Sequence, residues 1–176
     1  MASTHDDATP IVVMGVSGSG KTTIGRALAT RLNAEFLDAD DLHSPENRAK
    51  MASGHALDDE DRQPWLQAVG QHMSDAASRR QLTVVACSAL KRRYRDQLRT
   101  YVPDVPFVYL SGTPTVLEAR MKHRAHHFMP STLLGSQLAD LEPLADDELG
   151  VTIDITANVA QIVDEVVTSL ASLRRR

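Results

Sequence analysis

The sequence predicts an α/β fold, a parallel β-sheet with helices on both faces. Three observations predict it. Short apolar runs ("PIVVMG", "EFLDAD", "LTVVACS", "VPFVYLSG" and "VTIDI") recur with helix-period segments between them. The first run ends in a glycine-rich turn, "GVSGSGKTT", that leads straight into a helical pattern. The 176 residues contain no internal repeat or low-complexity linker, and 42% of them are apolar, enough for a sizeable core. A single domain over residues 10–176 is expected, after a disordered lead at residues 1–9.

Each element has its own signal. "PIVVMG" is short, apolar and closed by glycine, as a buried first strand should be. From about Lys21 to Leu32, Ile24, Leu28 and Leu32 form one helical stripe with Ala27 beside it. "EFLDAD" is a second strand ending in acids. Residues 43–63 are polar, with a short helix around Glu46–Met51. Pro64 fits the first turn of a helix to about Arg80. "LTVVACS" is the third strand, and a basic helix follows from about Leu90 to Tyr101. "VPFVYLSG" is the fourth strand, after which Thr113 and Pro114 read as N-cap and first turn of a helix through about His123. "HRAHHFMP" breaks the pattern. Ser131 then caps a helix carrying Leu133, Leu134, Leu138 and Leu141. "VTIDI" is the fifth strand, and the last helix lines up Val159, Ile162, Val163, Val166, Val167 and Leu170.

Composition removes several functions. The net charge is −4, and "LRRR" at the end is the only basic run, so no nucleic-acid surface is expected. No apolar segment approaches membrane-spanning length, and "MASTHDDATP" lacks the features of a secretory leader. The single cysteine, Cys87, excludes an internal disulfide and reads as a small core residue. A reducing cytoplasmic setting is expected.

Gly15, Gly20, Lys21 and Thr22 fit G-x-x-x-x-G-K-[ST], the phosphate-binding loop. Such glycines let the backbone N–H groups of Gly15, Val16, Ser17, Gly18, Ser19, Gly20, Lys21, Thr22 and Thr23 turn toward phosphate oxygens. The following helix aims its positive end at the same anion. Lys21 suits the outer phosphates of a triphosphate, and the Thr22 hydroxyl suits Mg²⁺. A switch GTPase is a poor match: there is no N-K-x-D, and "DELG" at Asp147–Gly150 comes late and follows no strand.

A small kinase also needs an acid for the acceptor hydroxyl, cations for the transferring phosphoryl group and a lid against water. Asp38 and Asp40, two apart at the end of the second strand, would share a face of an extended chain. One suits an outer ligand of Mg²⁺ and the other a proton acceptor; the alternative is a solvated acidic turn with Asp41. Arg120 and Arg124 are helix neighbours running into a candidate lid at about residues 120–133. His123, His126 and His127 raise zinc, but no nearby cysteine or carboxylate completes a set. Arg62 suits a carboxylate ligand, or else pairs locally with Asp58 or Asp59. Trp65 reads as core. Ser88 and Lys91 of "CSALK" lie where a strand gives way to a helix, at the ligand end of the sheet.

These motifs together resemble the bacterial gluconate kinases. The resembling segments are "MGVSGSGKT", "FLDADDLHSPENRAKMASG", "LDDEDRQPWL", "VVACSALKRRYRDQLR", "FVYLSG", "RAHHFMPSTLLGSQLADLE" and the closing "VDEVV". The resemblance implies a three-layer P-loop fold of the nucleoside- and shikimate-kinase kind, with five parallel strands and a lid. It implies ATP and Mg²⁺, D-gluconate phosphorylated at its 6-hydroxyl, and a homodimer. It places Asp40 at the acceptor and Arg124 in the lid, beside Lys21, as catalytic groups. His43, Arg62, Ser88, Lys91 and His127 fall to the acid, and Arg120 to the nucleotide. Ala39 and His126 stand where the family often has glycine, and Ser44 and Ala56 where it often has proline. A kinase for another small acceptor, such as shikimate or a nucleoside, and a non-catalytic ATP-binding module are the other readings.

Overall fold

The computed structural model describes residues 8–123 and 133–175. Five parallel strands form one sheet in the order β2-β3-β1-β4-β5. They are β1 (Ile11–Met14), β2 (Glu35–Asp38), β3 (Thr83–Ala86), β4 (Phe107–Ser111) and β5 (Gly150–Asp154). The helices are α1 (Lys21–Leu32), α2 (Pro45–Ala52), α3 (Asp59–Ser78), α4 (Arg92–Tyr101), α5 (Pro114–Lys122), α6 (Leu133–Asp140) and α7 (Val159–Leu173).

Alternation along β1 produces the layers. Ile11 and Val13 join one apolar cluster, with α1 and α7; Val12 and Met14 join the other, with α3 and α4. Both faces of β1 are therefore buried, which is why it reads as continuous apolar sequence. The strand order reverses beside β1, so the carboxyl ends of β1, β2 and β3 open onto one crevice.

Most expected elements are present, with informative differences. The helix expected from Pro64 begins at Asp59, because Asp58 and Asp61 form a reciprocal capping box. Pro64 lies inside that helix, and both it and Glu60 are exposed, so water can satisfy the Glu60 carbonyl that loses its partner. Lys91 is the N-cap of α4 rather than a residue of its first turn. Arg120 and Lys122, at the start of the expected lid, still belong to α5, and Leu133 opens α6. Val159, expected on the buried face of α7, is 41% exposed at the first turn. Ala8 and Thr9, expected in a disordered lead, are half-buried. The Ser131 cap lies outside the described residues. Cys87 is buried, as a core residue, and burial pushes its thiol up to about 12. Among the described residues no helix is long and apolar enough to cross a membrane.

Candidate active site

The loop between β1 and α1 takes the shape its motif demands. Gly18 and Gly20 have φ of +84° and +93°, a region side-chain-bearing residues rarely adopt. Gly20 is also the N-cap of α1, and no side chain caps that end. The first-turn N–H groups are thus left for an anion. Lys21 lies back over the loop, its Nζ donating to the Val16 carbonyl at 3.2 Å. The Ser17 amide donates to Oε1 of Gln137 on α6 at 2.7 Å. Ser19 Oγ is buried without a partner, and Thr23 is exposed on the first turn of α1.

Asp38 and Asp40 do not share a face of a strand. β2 ends at Asp38, and Asp40 lies in a 3₁₀ turn, Ala39–Leu42, whose start Asp38 caps by accepting from the Asp40 amide at 3.1 Å. The break separates the two acids. Asp38 Oδ2 accepts from the Thr22 hydroxyl at 2.9 Å, at the mouth of the loop. Asp40 instead lines a cleft with Ser17, Lys21, His43, Arg62 and Ser88. The cleft is open to solvent on one side, and its enclosed space is small, about 50 Å³.

The environment tunes the groups there. Burial in the cleft floor raises the Asp40 carboxyl above the usual range; Asp38 and Asp41 add to this, while Lys21 and Arg48 oppose it. The Asp40 side chain is nevertheless 56% exposed, so solvent screens much of this effect. His43 stacks on Trp65 with ring centroids 4.3 Å apart. Burial, then the Arg48 and Arg62 cations, lower His43 to about 4, so the ring is neutral at pH 7. Its Nδ1 is buried without a partner. Trp65 is core, as expected, and its Nε1 donates to the Ala39 carbonyl at 2.7 Å, holding the 3₁₀ turn in place.

Arg62 is buried, and its side chain pairs with neither the Asp58 nor the Asp59 carboxylate. Its Nη1 donates to the Tyr94 hydroxyl at 2.9 Å and pairs with Asp140 Oδ2 at 3.4 Å. Lys91 pairs with Asp59 Oδ1 at 3.3 Å and Asp140 Oδ1 at 3.5 Å, beside the cleft. Asp59 also receives Arg93 and the Tyr94 hydroxyl. Arg120 sits against the loop at Gly20 and donates to the Ile155 carbonyl. Arg124, His126 and His127 lie outside the described residues. Among the described residues no group of three or more His, Cys, Asp or Glu is arranged to hold a metal.

Sequence reasoning missed Gln137, Asp140 and Tyr94, and it considered Asp59 only as a partner for Arg62. The one available signal was the three-residue spacing of Gln137 and Asp140, which places them on one side of α6. The Ser131 cap and the leucine stripe that predict this helix carry no information about its polar side.

Comparison with known proteins adds a family. Residues 11–144 match the family model described as an AAA domain. The chain is 42% identical over 165 residues to the thermosensitive gluconokinase of Escherichia coli (strain K12), covering 93% of this chain and 88% of that one. It is similar to the crystal structure of a gluconokinase from Sinorhizobium meliloti 1021, with a TM-score of 0.86 and 46% identity over 95% of this chain and 94% of that one. The shikimate kinase of Aquifex aeolicus VF5 shares the fold, at a TM-score of 0.59 and 14% identity over 93% of this chain and 96% of that chain.

Proposed function

The chain belongs to the gluconokinase family, and from that premise we infer that it phosphorylates D-gluconate with ATP, giving 6-phospho-D-gluconate and ADP. One observation carries the reading at the level of the site: Lys21, Asp40 and Arg62 line a single cleft. A phosphate-holding cation, a carboxylate and an anion grip are what phosphoryl transfer to a hydroxylated acid requires.

The 6-hydroxyl oxygen attacks the γ-phosphorus, the bond to the β–γ bridging oxygen breaks, and ADP leaves. Asp40 accepts or orients the hydroxyl proton, a task that its raised carboxyl suits. Lys21 and the uncapped first-turn amides of α1 stabilise charge on the phosphates, whereas the amides of Gly15, Ser17 and Ser19 donate to the Ser88 carbonyl, Gln137 and the Val16 carbonyl; Arg120 flanks the nucleotide and Arg124 adds a lid cation. Arg62 and Lys91 hold the acid's carboxylate, while Ser88, His43 and His127 take its hydroxyls. Neutral His43, with an unpaired Nδ1, suits a hydroxyl better than a carboxylate.

Thr22 and Asp38 present two hard oxygen donors side by side, a set that fits Mg²⁺. When bound there, Mg²⁺ neutralises phosphate charge. A homodimer in the cytoplasm completes the reading; the lone thiol of Cys87 suits a reducing compartment.

The test is ADP release against D-gluconate, shikimate, nucleosides and no acceptor. Release with gluconate alone supports the reading. Release with another acceptor moves the chain to that substrate, and a flat response makes it an ATP-binding module. Asp40→Asn should lower kcat by about 10²–10⁴ with the unfolding midpoint unmoved. Near-normal turnover removes Asp40 from the proton's path.

A further inference from the structure

The two cations assigned above to the acid's carboxylate already share one. Asp140, the last residue of α6, places Oδ2 3.4 Å from Arg62 Nη1 and Oδ1 3.5 Å from Lys91 Nζ. The side chains of Arg62, Lys91 and Asp140 are 11%, 21% and 30% exposed, so their charges are less screened than those of a surface pair. The contacts are nevertheless loose. Asp140 offers one oxygen to each cation, and Arg62 meets it through a single nitrogen that also serves Tyr94. A free carboxylate that engages the guanidinium with both oxygens makes shorter, stronger bonds. Asp140 also stands at the C-terminal end of its helix, where the backbone dipole disfavours an anion.

Charge accounting points the same way. Arg62, Lys91 and Arg93 gather around two carboxylates, Asp59 and Asp140. The cluster carries one surplus positive charge. An incoming acid cancels that surplus, and neutralising Asp140 doubles it.

We propose that Asp140 is a displaceable internal counter-ion for the acid-binding cations, and so a residue that sets how strongly the cleft prefers a carboxylate-bearing acceptor over an uncharged polyol. The proposal rests on the reading of Arg62 as the acid's grip. Asp140 occupies that grip, and the substrate's carboxylate takes its place.

The experiment compares D-gluconate with sorbitol, the same carbon chain without the carboxylate. Sorbitol is measured by turnover or as a competitive inhibitor. Asp140→Asn and Asp140→Ala should each lower KM for gluconate about three- to tenfold. The constants for sorbitol and the KM for ATP should stay put, so the preference for the acid rises. The alanine variant guards against a new contact made by asparagine. An unchanged or raised gluconate KM in both variants overturns the proposal; Asp140 then orients Arg62 instead of competing for it. Arg62→Ala separates the two levels. If it leaves the gluconate KM at the wild-type value, the acid-grip reading falls and this inference with it. If it raises KM while the Asp140 variants do not lower it, only the counter-ion falls.

Discussion

Two arginine–carboxylate clusters meet near the start of α4, one beneath the β3–α4 turn and one in the cleft. In the first, Arg95 and Glu148 have fully buried side chains. Arg95 binds the carboxylate with Nε and Nη2 at 2.7 and 2.6 Å, and its Nη1 donates to the carbonyls of Ala89, Leu90 and Glu142. Those bonds hold a turn in which Ala89 has φ of +43°, a costly conformation for a residue with a side chain. The same turn carries Ser88 and Lys91. In the second cluster, Arg62 meets Asp140 through one nitrogen at 3.4 Å, at the edge of a cleft. The residue types are the same, yet burial and the number of bonds differ. A guanidinium whose donors are spent on the fold supports a site; one whose contacts with Tyr94 and Asp140 run through one nitrogen can serve a ligand.

The sharpest way to break this comparison is to cut the first cluster. Glu148→Gln should destabilise the fold by about 3–5 kcal/mol in urea unfolding, because it strands a buried cation. A loss under about 1 kcal/mol would put the two clusters on an equal footing.

Acid separates the clusters next. His43, beside the cleft, has a folded value of about 4 against an ordinary 6.5. The unfolded chain takes up that proton first. The associated stability is complete above 6.5, and as much as roughly 3 kcal/mol is lost as pH falls through that window toward 4. Glu148 behaves as a depressed carboxylate. Burial alone would raise it, but the bonds from Arg95, the Ala145 amide and Arg99 outweigh burial and hold it at about 2. Its contribution is intact above 4.5 and disappears as pH falls toward 2. Unfolding midpoints should therefore decline in two successive windows. His43→Gln should flatten the upper one and Glu148→Gln the lower.

Arg62→Ala should act mainly on the ligand. Loss of a charge-assisted contact worth about 1.5–3 kcal/mol raises the gluconate KM roughly 10- to 100-fold, with a smaller change in unfolding than Glu148→Gln gives. The smallest effect belongs to Arg93→Ala. Its side chain is 59% exposed, and its pair with Asp59 should contribute under about 1 kcal/mol to unfolding. A larger loss would move Arg93 from the rim of the cleft cluster into its core.

Legibility divides along the same lines. The phosphate loop, α1 and the five strands were readable because their signals are local: glycines before a helix, or a short apolar run. Thr22 and Asp38 are each legible as hard oxygen donors, but their hydrogen bond to one another is not, because it joins the start of α1 to the end of β2, 16 residues apart. The Asp38–Asp40 arrangement was misread because a strand-end aspartate can cap a turn as readily as the chain can stay extended, and Trp65, 26 residues from Ala39, helps choose. Arg62 was offered two neighbours in sequence and took partners 32 and 78 residues away.

By itself the sequence determined the layered parallel sheet, the anion-holding loop and the list of side chains able to serve phosphate or acid. These follow from spacing over a few residues, where backbone geometry leaves little choice. Tertiary structure alone decided which arginine is locked away with Glu148 and which faces the cleft. It also decided that α6 would bring Gln137 to the Ser17 amide and Asp140 to Arg62. Ion pairing is long-ranged and indifferent to sequence order, so only the packed chain can select one carboxylate among many for each cation.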